Sequence, residues 1–345
     1  MDASAATWLA GLDPALTLLP QALPRPSPGI RWELHDVRWT PGQGCRLAYR
    51  VQAAGSPSTF VALEVTATEW SRHDYREDPR LPGLASASDP TVLPGLLAQA
   101  FDLPIRGCRV EPVRYRPGSR CVLRYEVETT AWTSRLYAKV FRPERFAEIS
   151  SLGTVLAHPR TGTRLVPELT AVWPDLQVMV GKEINGRVLS AVVGDAGVPP
   201  GQRARLAHRL GDLLARFHQQ SDIAAPHWST DEQVDALAIA AAPVRFADAR
   251  LADRLDAVLE LLMARVPAAA TEVLGHGGFR AGQVVLSDDD QLVVLDTDRV
   301  CRCDPGRDLG TALAHLTWQG VRQPGQRTTL RGAEHALLAG YQDHA

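Results

Sequence analysis

Apolar and polar positions alternate along two stretches of the first half of the chain, and the second stretch repeats the first. Val37-Arg38-Trp39-Thr40 runs into Pro41-Gly42, then Cys45-Arg46-Leu47-Ala48-Tyr49-Arg50-Val51, with a further strand at Phe60 to Val65. Two-residue periodicity interrupted by Pro-Gly is the pattern of strands joined by a tight turn. Val113-Arg114-Tyr115-Arg116, Pro117-Gly118, Cys121 to Val127 and Leu136 to Val140 follow the same plan at a constant offset of 76 residues, from Val37 to Val113 and from Val51 to Val127. Val, Arg, Pro, Gly, Cys, Leu, Tyr and Val coincide in place, so the segment reads as an internal duplication. On that offset Lys139 falls opposite Leu63. The expectation is that residues 36–66 and 112–141 share one three-stranded arrangement, with Leu63 in the place of Lys139 and turned into a closed apolar interior.

Elsewhere the pattern predicts a short helix from Ala5 to Leu19, then a stiff linker from Gln21 to Gly29 carrying Pro24, Pro26 and Pro28. Arg76 to Asp89 reads as loop and Thr91 to Phe101 as helix. Pro143 to Ala157 reads as a helix whose Pro143-Glu144 opening suits a first turn. Leu169 to Trp173 and Leu176 to Gly181 read as a hairpin. From about residue 200 the period becomes helical. Leu206, Leu210, Leu213, Leu214 and Phe217 make one stripe; Leu251, Leu255, Val258, Leu261 and Leu262 make another. A hairpin over the acidic turn Ser287 to Asp290 is inserted before two last helices. The order predicts an α+β chain of three parts: 1–106, a β-rich subdomain; 107–185, a second β-rich lobe; and 186–345, a helical lobe.

The chain has 345 residues, ordinary shares of hydrophobic (45%) and charged (22%) residues, and a net charge of −2. That balance gives no global field for nucleic acid or an anionic membrane. No run of 18 apolar residues suggests a transmembrane helix, and Met1-Asp2-Ala3-Ser4 lacks the basic flank of a signal peptide. The five Cys, at 45, 108, 121, 301 and 303, are odd in number and lack paired metal-ligand spacing, and a reduced, cytoplasmic protein is expected. One skew matters. Of 37 basic residues only Lys139 and Lys182 are Lys. An ammonium is a compact point charge, which a planar guanidinium cannot replace at a phosphate. Lys139, in its Ala-Lys-Val strand, is the candidate phosphate contact, whereas Lys182 reads as a solvated connector.

The chemistry gathers in His276-Gly277-Gly278-Phe279-Arg280-Ala281-Gln283 with its intervening Gly282, the following hairpin, Asp296-Thr297-Asp298, and Asp304-Pro305-Gly306-Arg307-Asp308-Leu309. This resembles the catalytic region of the aminoglycoside phosphotransferase and choline kinase-like family, relatives of the protein kinases. The family's order is His-Gly-Asp, four residues, Asn, a short hairpin, Asp-x-Asp and Asp-Pro-x-x-Asp-Leu, and the spacing here agrees. The resemblance runs from roughly residue 110 to the C-terminus. It implies a two-lobed, kinase-like α+β fold, with residues 1–106 as a degenerate repeat of the β-rich lobe, and it implies ATP and Mg²⁺ as cofactors. By resemblance Lys139 holds the nucleotide phosphates, the Pro117-Gly118 turn covers them, and Glu148, or else Glu144, pairs with Lys139. Asp296 ligates the metal, Asp298 shares it or supports it, and Asp308 orients the backbone of the catalytic loop. His276 reads as a structural loop histidine.

Two departures set the functional expectation. Gly278 stands where the family keeps the Asp that accepts the acceptor's proton, and Gln283 stands where an Asn binds metal, one methylene farther out. Losing a general base costs about 10²–10⁴ in rate, while positioning and metal electrostatics persist. The sequence therefore predicts a pseudokinase that binds nucleotide and acts as an accessory or regulatory partner of another protein. The alternative is an active but atypical ATP-dependent phosphotransferase on a small-molecule or peptide hydroxyl, its base supplied from elsewhere.

Overall fold

A computed structural model describes residues 3–25, 27–158, 165–265 and 271–344. Met1-Asp2 and Pro26 of the expected linker lie outside the described residues. The chain folds as two compact units, each discontinuous in sequence. The first comprises Met1–Ala147, Thr170–Lys182 and Asp235–Arg265; the second comprises Glu148–Leu169, Glu183–Val234 and Val266–Ala345. No described helix is long and apolar enough to cross a membrane.

The first unit opens with helices α1 (Ala3–Leu12) and α2 (Leu19–Ala22), separated at Asp13-Pro14, where the helix expected over 5–19 breaks. Strands β1 (Ile30–Thr40), β2 (Gly44–Ala53), β3 (Thr59–Val65) and β4 (Trp70–Asp74) then form an antiparallel meander. Helices α3 (Leu84–Ala87) and α4 (Leu93–Phe101) lead to β5 (Ile105–Arg116), β6 (Arg120–Thr129) and β7 (Thr133–Phe141). After helix α5 (Pro143–Ala157), β8 (Leu169–Trp173) and β9 (Val178–Lys182) complete a five-stranded sheet of order β5-β6-β7-β9-β8.

The repeat is real at the level of pairing. Trp39 faces Cys45 and Thr40 faces Gly44 in one copy; Tyr115 faces Cys121 and Arg116 faces Arg120 in the other. Each copy is a three-stranded antiparallel meander, as the offset requires. The place of Leu63 is a correction. Leu47 pairs with Leu63, whereas its counterpart Leu123 pairs with Ala138. The connection before the third strand is one residue shorter in the second copy, and a one-residue slip turns every following side chain to the other face. The residue in Lys139's place is therefore Glu64, paired with Arg46 as Lys139 is paired with Val122. Glu64 accepts a salt bridge from Arg46 at 3.0 Å. Leu63 does lie in an apolar interior, fully buried with Leu47, Leu16 and Leu19, but on the opposite face of the sheet.

Packing separates the two copies further. One face of the first sheet (Cys45, Leu47, Tyr49, Leu63, Val65) closes on Ala6, Leu16 and Leu19, and the other (Ala48, Phe60, Ala62) closes on Tyr75 and Tyr115. In the second sheet Tyr115, Cys121, Leu123, Tyr125, Ala138 and Val140 pack on Leu81, Leu84, Leu93 and Leu97. Burying each of the leucine, valine and phenylalanine side chains contributes about 1.5–3 kcal/mol.

The second unit continues with β10 (Gly186–Val188), α6 (Leu189–Val193) and α7 (Pro200–His218). Helix α8 (Thr230–Ala247) starts on a capping box, in which Ser229 Oγ accepts from the Glu232 amide at 3.2 Å and the Glu232 carboxylate accepts from the Ser229 amide at 2.7 Å. Helix α9 (Ala249–Met263) follows; both α9 and residues 235–247 of α8 belong to the first unit. The stripe expected on α9 forms a helix, yet none of its residues is buried. Strands β11 (Val273–Gly275), β12 (Val284–Ser287), β13 (Leu292–Val294) and β14 (Cys301–Cys303) then lead to α10 (Pro305–Arg322) and α11 (Arg327–Gln342). The α7 stripe is buried against Leu330, Ala333 and Leu337 of α11, together with Phe279 and Val284 beside the candidate catalytic loop. The loop is thus backed by the unit's main core.

Candidate functional site

Antiparallel pairing of β11 with β14 brings residues 276–279 beside the start of α10. There Asp308, fully buried, accepts four consecutive amides: His276 at 2.6 Å, Gly277 at 3.4 Å, Gly278 at 2.9 Å and Phe279 at 3.1 Å. His218 Nε2 lies 3.4 Å from the same carboxylate, and its Nδ1 shares a hydrogen bond with the Tyr341 hydroxyl at 2.9 Å. Burial alone would raise the Asp308 pKa. The His218 hydrogen bond, the charge of His276 and the Phe279 amide overcome it and hold the carboxyl at about 2. Arg307 fixes the loop from the other side, donating to the Gly277 carbonyl at 3.2 Å while its guanidinium lies 3.3 Å from the centre of the Trp228 ring. His276 Nε2 shares a hydrogen bond with the Leu295 carbonyl at 2.8 Å.

The two glycines of the loop differ. Gly277 has φ +77°, and a Cβ there would lie 2.2 Å from the Arg299 carbonyl oxygen, so the backbone requires glycine. Gly278 lies outside the left-handed region, and nothing lies within 4 Å of the place a Cβ would take. The backbone does not exclude a carboxylate at 278. The sequence simply lacks one.

Gln283 Nε2 donates to Asp296 Oδ2 at 3.1 Å, so the structure brings these two candidate ligands together. The Gln283 Oε1 is buried with no hydrogen-bond partner. A buried amide oxygen left without a donor carries a desolvation cost that a cation would relieve. Asp296 has φ +63°, a left-handed conformation uncommon for a residue with a side chain. Asp298 is half-buried two residues farther along the same loop. Among the described residues no group of three or more His, Cys, Asp or Glu assembles for a metal. An all-oxygen set of few protein ligands suits Mg²⁺, which keeps waters and phosphate oxygens in its shell.

In the first unit, Lys139 pairs with Val122 on one side and Met179 on the other. Paired residues share a face, so Lys139, Val122, Met179, Arg114, Arg116 and Arg120 lie on one face of the second sheet, opposite its core. Glu148 is exposed on α5 and falls in the other unit. The Pro117-Gly118 turn is held by a buried carboxylate. The Gly118 amide donates to Asp78 Oδ2 at 2.7 Å, and the Tyr115 hydroxyl donates to the same oxygen at 2.8 Å.

Asp78 escaped the sequence reading, although a signal was there. Asp13-Pro14-Ala15-Leu16 and Asp78-Pro79-Arg80-Leu81 share Asp-Pro-x-Leu. Asp13 Oδ2 accepts the Trp39 indole at 2.8 Å and the Gly42 amide at 3.1 Å, the counterparts of Tyr115 and Gly118. The clasp is therefore part of the duplicated unit.

The phosphotransferase enzyme family matches residues 119–344. Among solved structures, a macrolide 2'-phosphotransferase from Brachybacterium faecium is similar at 16% identity and a TM-score of 0.47, covering 72% of this chain and 81% of its own. A spectinomycin phosphotransferase in complex with ADP and spectinomycin is similar at 14% identity and a TM-score of 0.48, covering 74% and 84%. A choline kinase from Streptococcus pneumoniae is similar at 12% identity and a TM-score of 0.47, covering 73% and 79%. No curated protein matches the chain. With the matched span reaching from the β5–β6 turn through the Asp308 frame to the last helix, the chain has an α+β fold and belongs to the phosphotransferase enzyme family.

Proposed function

We propose that the chain is a pseudokinase: it binds a nucleotide with Mg²⁺ and serves as an accessory or regulatory partner of another protein. The observation that carries this reading is the Asp308 frame, which holds four amides of a catalytic loop whose reactive position is Gly278. Phosphoryl transfer depends chiefly on positioning and charge. The residues that serve those ends are kept, while the one that accepts a proton is absent. Lys139 would neutralise phosphate charge, and Asp296 with the Gln283 amide oxygen would hold the metal, Asp298 supporting them. Bound Mg²⁺ would offset phosphate charge. A second reading, an atypical phosphotransferase acting on a small-molecule or peptide hydroxyl, is favoured by the open space beside Gly278, which an acceptor bringing its own base could fill.

Binding is tested by melting. A ligand at about 100 times its Kd stabilises the native state by about 2.7 kcal/mol, a rise of several degrees. MgATP or MgADP is expected to give that rise, and Lys139→Ala or Asp296→Ala to remove it. A wild type whose melting temperature does not move at millimolar nucleotide would leave only a scaffold.

A further inference from the structure

The duplication gives the second copy an internal reference, a copy of the same fold unit whose corresponding face is closed by Tyr75 and Tyr115. Matched by pairing register, the copies differ in charge at several positions, and the changes at one feature run mostly in one direction. Thr40 and Gly44, which flank the first turn, become Arg116 and Arg120. Ala15, whose amide donates to Asp13 Oδ1 at 2.9 Å, becomes Arg80, whose amide donates to Asp78 Oδ1 at 2.9 Å. Glu64 becomes Lys139. In the opposite sense, Arg46 becomes Val122. At the Pro117-Gly118 turn itself three neutral positions gain a guanidinium, and on the sheet face beside it one acid becomes an ammonium and Ala48 becomes Arg124, which is paired with Glu111.

The geometry gathers these cations. Arg116 and Arg120 face each other across the hairpin on the face that carries Lys139. Arg80 is exposed and lies across the turn itself, its Cδ 2.9 Å and its Nη1 3.3 Å from where a Gly118 Cβ would stand. Arg116 is crowded: burial, then Arg114 and Arg120 as like charges, pull its guanidinium down to about 10. Its carboxylate neighbour is Asp36, with Arg116 Nε 3.8 Å from Asp36 Oδ1, and Asp36 also serves Arg38 at 3.4 Å. The Arg116 Nε is buried without a hydrogen-bond acceptor.

We propose that Arg80, Arg116 and Arg120 form a collar around the Pro117-Gly118 turn that binds a phosphate chain, with Arg80 contributed by the segment between the two copies. For the identity of its ligand, the phosphate chain of a nucleotide, the proposal rests on the nucleotide reading above. The collar also accounts for the turn itself. With the Gly118 amide held by Asp78, side chains rather than that backbone donor serve the anion.

The test is calorimetric titration of the full chain with MgATP, inorganic tripolyphosphate and adenosine. The variants are Arg80→Ala and Arg116→Thr, which install the residues the first copy already folds with, and Arg80→Lys, which keeps the charge. Each loss of an arginine is expected to weaken MgATP and tripolyphosphate about tenfold while leaving adenosine unchanged. Arg80→Lys should recover part of that loss. MgATP binding that is tight and unaltered in both variants overturns the collar and leaves the nucleotide reading standing. Tripolyphosphate binding through these arginines, with none of ATP or adenosine, supports the collar and ends the nucleotide reading. A wild type that takes up neither anion overturns both.

Discussion

Gly278→Asp, alone or with Gln283→Asn, is expected to raise ATP turnover by about 10²-fold or more, measured as ADP released over time. Three observations support that size. The loop amides at 276–279 are already fixed by Asp308, so the new carboxylate enters a frame that needs no rearrangement. The backbone at 278 is conformationally ordinary, and its Cβ direction is open. Moreover, a positioned carboxylate is a far better base than water in the same place. The variant should also melt close to the wild type, because the substitution displaces nothing. A wild type that already phosphorylates a defined acceptor briskly, with the variant gaining nothing, would refute the pseudokinase reading in favour of the atypical enzyme.

Asp308→Asn should destabilise the protein by about 3–5 kcal/mol, because it leaves buried donors facing a neutral amide that can accept fewer of them. The same carboxylate predicts a pH dependence. Its pKa is about 2 in the folded state against about 3.9 unfolded, so its ionisation stabilises the fold by about 2 kcal/mol above pH 4. That contribution is lost as the pH falls from about 4 to about 2. Urea unfolding at pH 6 and pH 3 should therefore show the gap between wild type and Asp308→Asn narrowing in acid. A gap that is small at pH 6, or constant with pH, would mean that Asp308 does not carry the frame.

Much of this was legible in the sequence. The hairpin over Ser287 to Asp290, the α5 bounds at Pro143 and Ala157, and the meander repeated at 76 residues all follow from local periodicity, which tertiary context left intact. The role of Asp308 could be read from Asp-Pro-x-x-Asp-Leu by resemblance. What was missed depended on pairing register or on distant partners. Leu63 and Glu64 differ by one residue, and only the length of the preceding connection decides which of them faces Lys139's side. Arg307 on Trp228 joins residues 79 apart, and Asp78 with Gly118 joins residues 40 apart. The break in the expected first helix has a local cause, since the Asp13 carboxylate accepts the Ala15 amide and competes with helical bonding.

The aspartate clasp changes where this chain can be divided. Each meander is completed by a short segment upstream of its first strand, so a piece begun at Ile30 would leave the Trp39 indole and the Gly42 amide facing solvent or an empty interior. A piece begun at residue 119, where the family match starts, would open inside the β5–β6 turn and omit both β5 and Asp78. The smallest self-sufficient portion carrying Lys139 therefore begins before Asp78. Fragments, fusions and swaps between the halves should take the Asp-Pro-x-Leu segments, rather than the strands, as their joints.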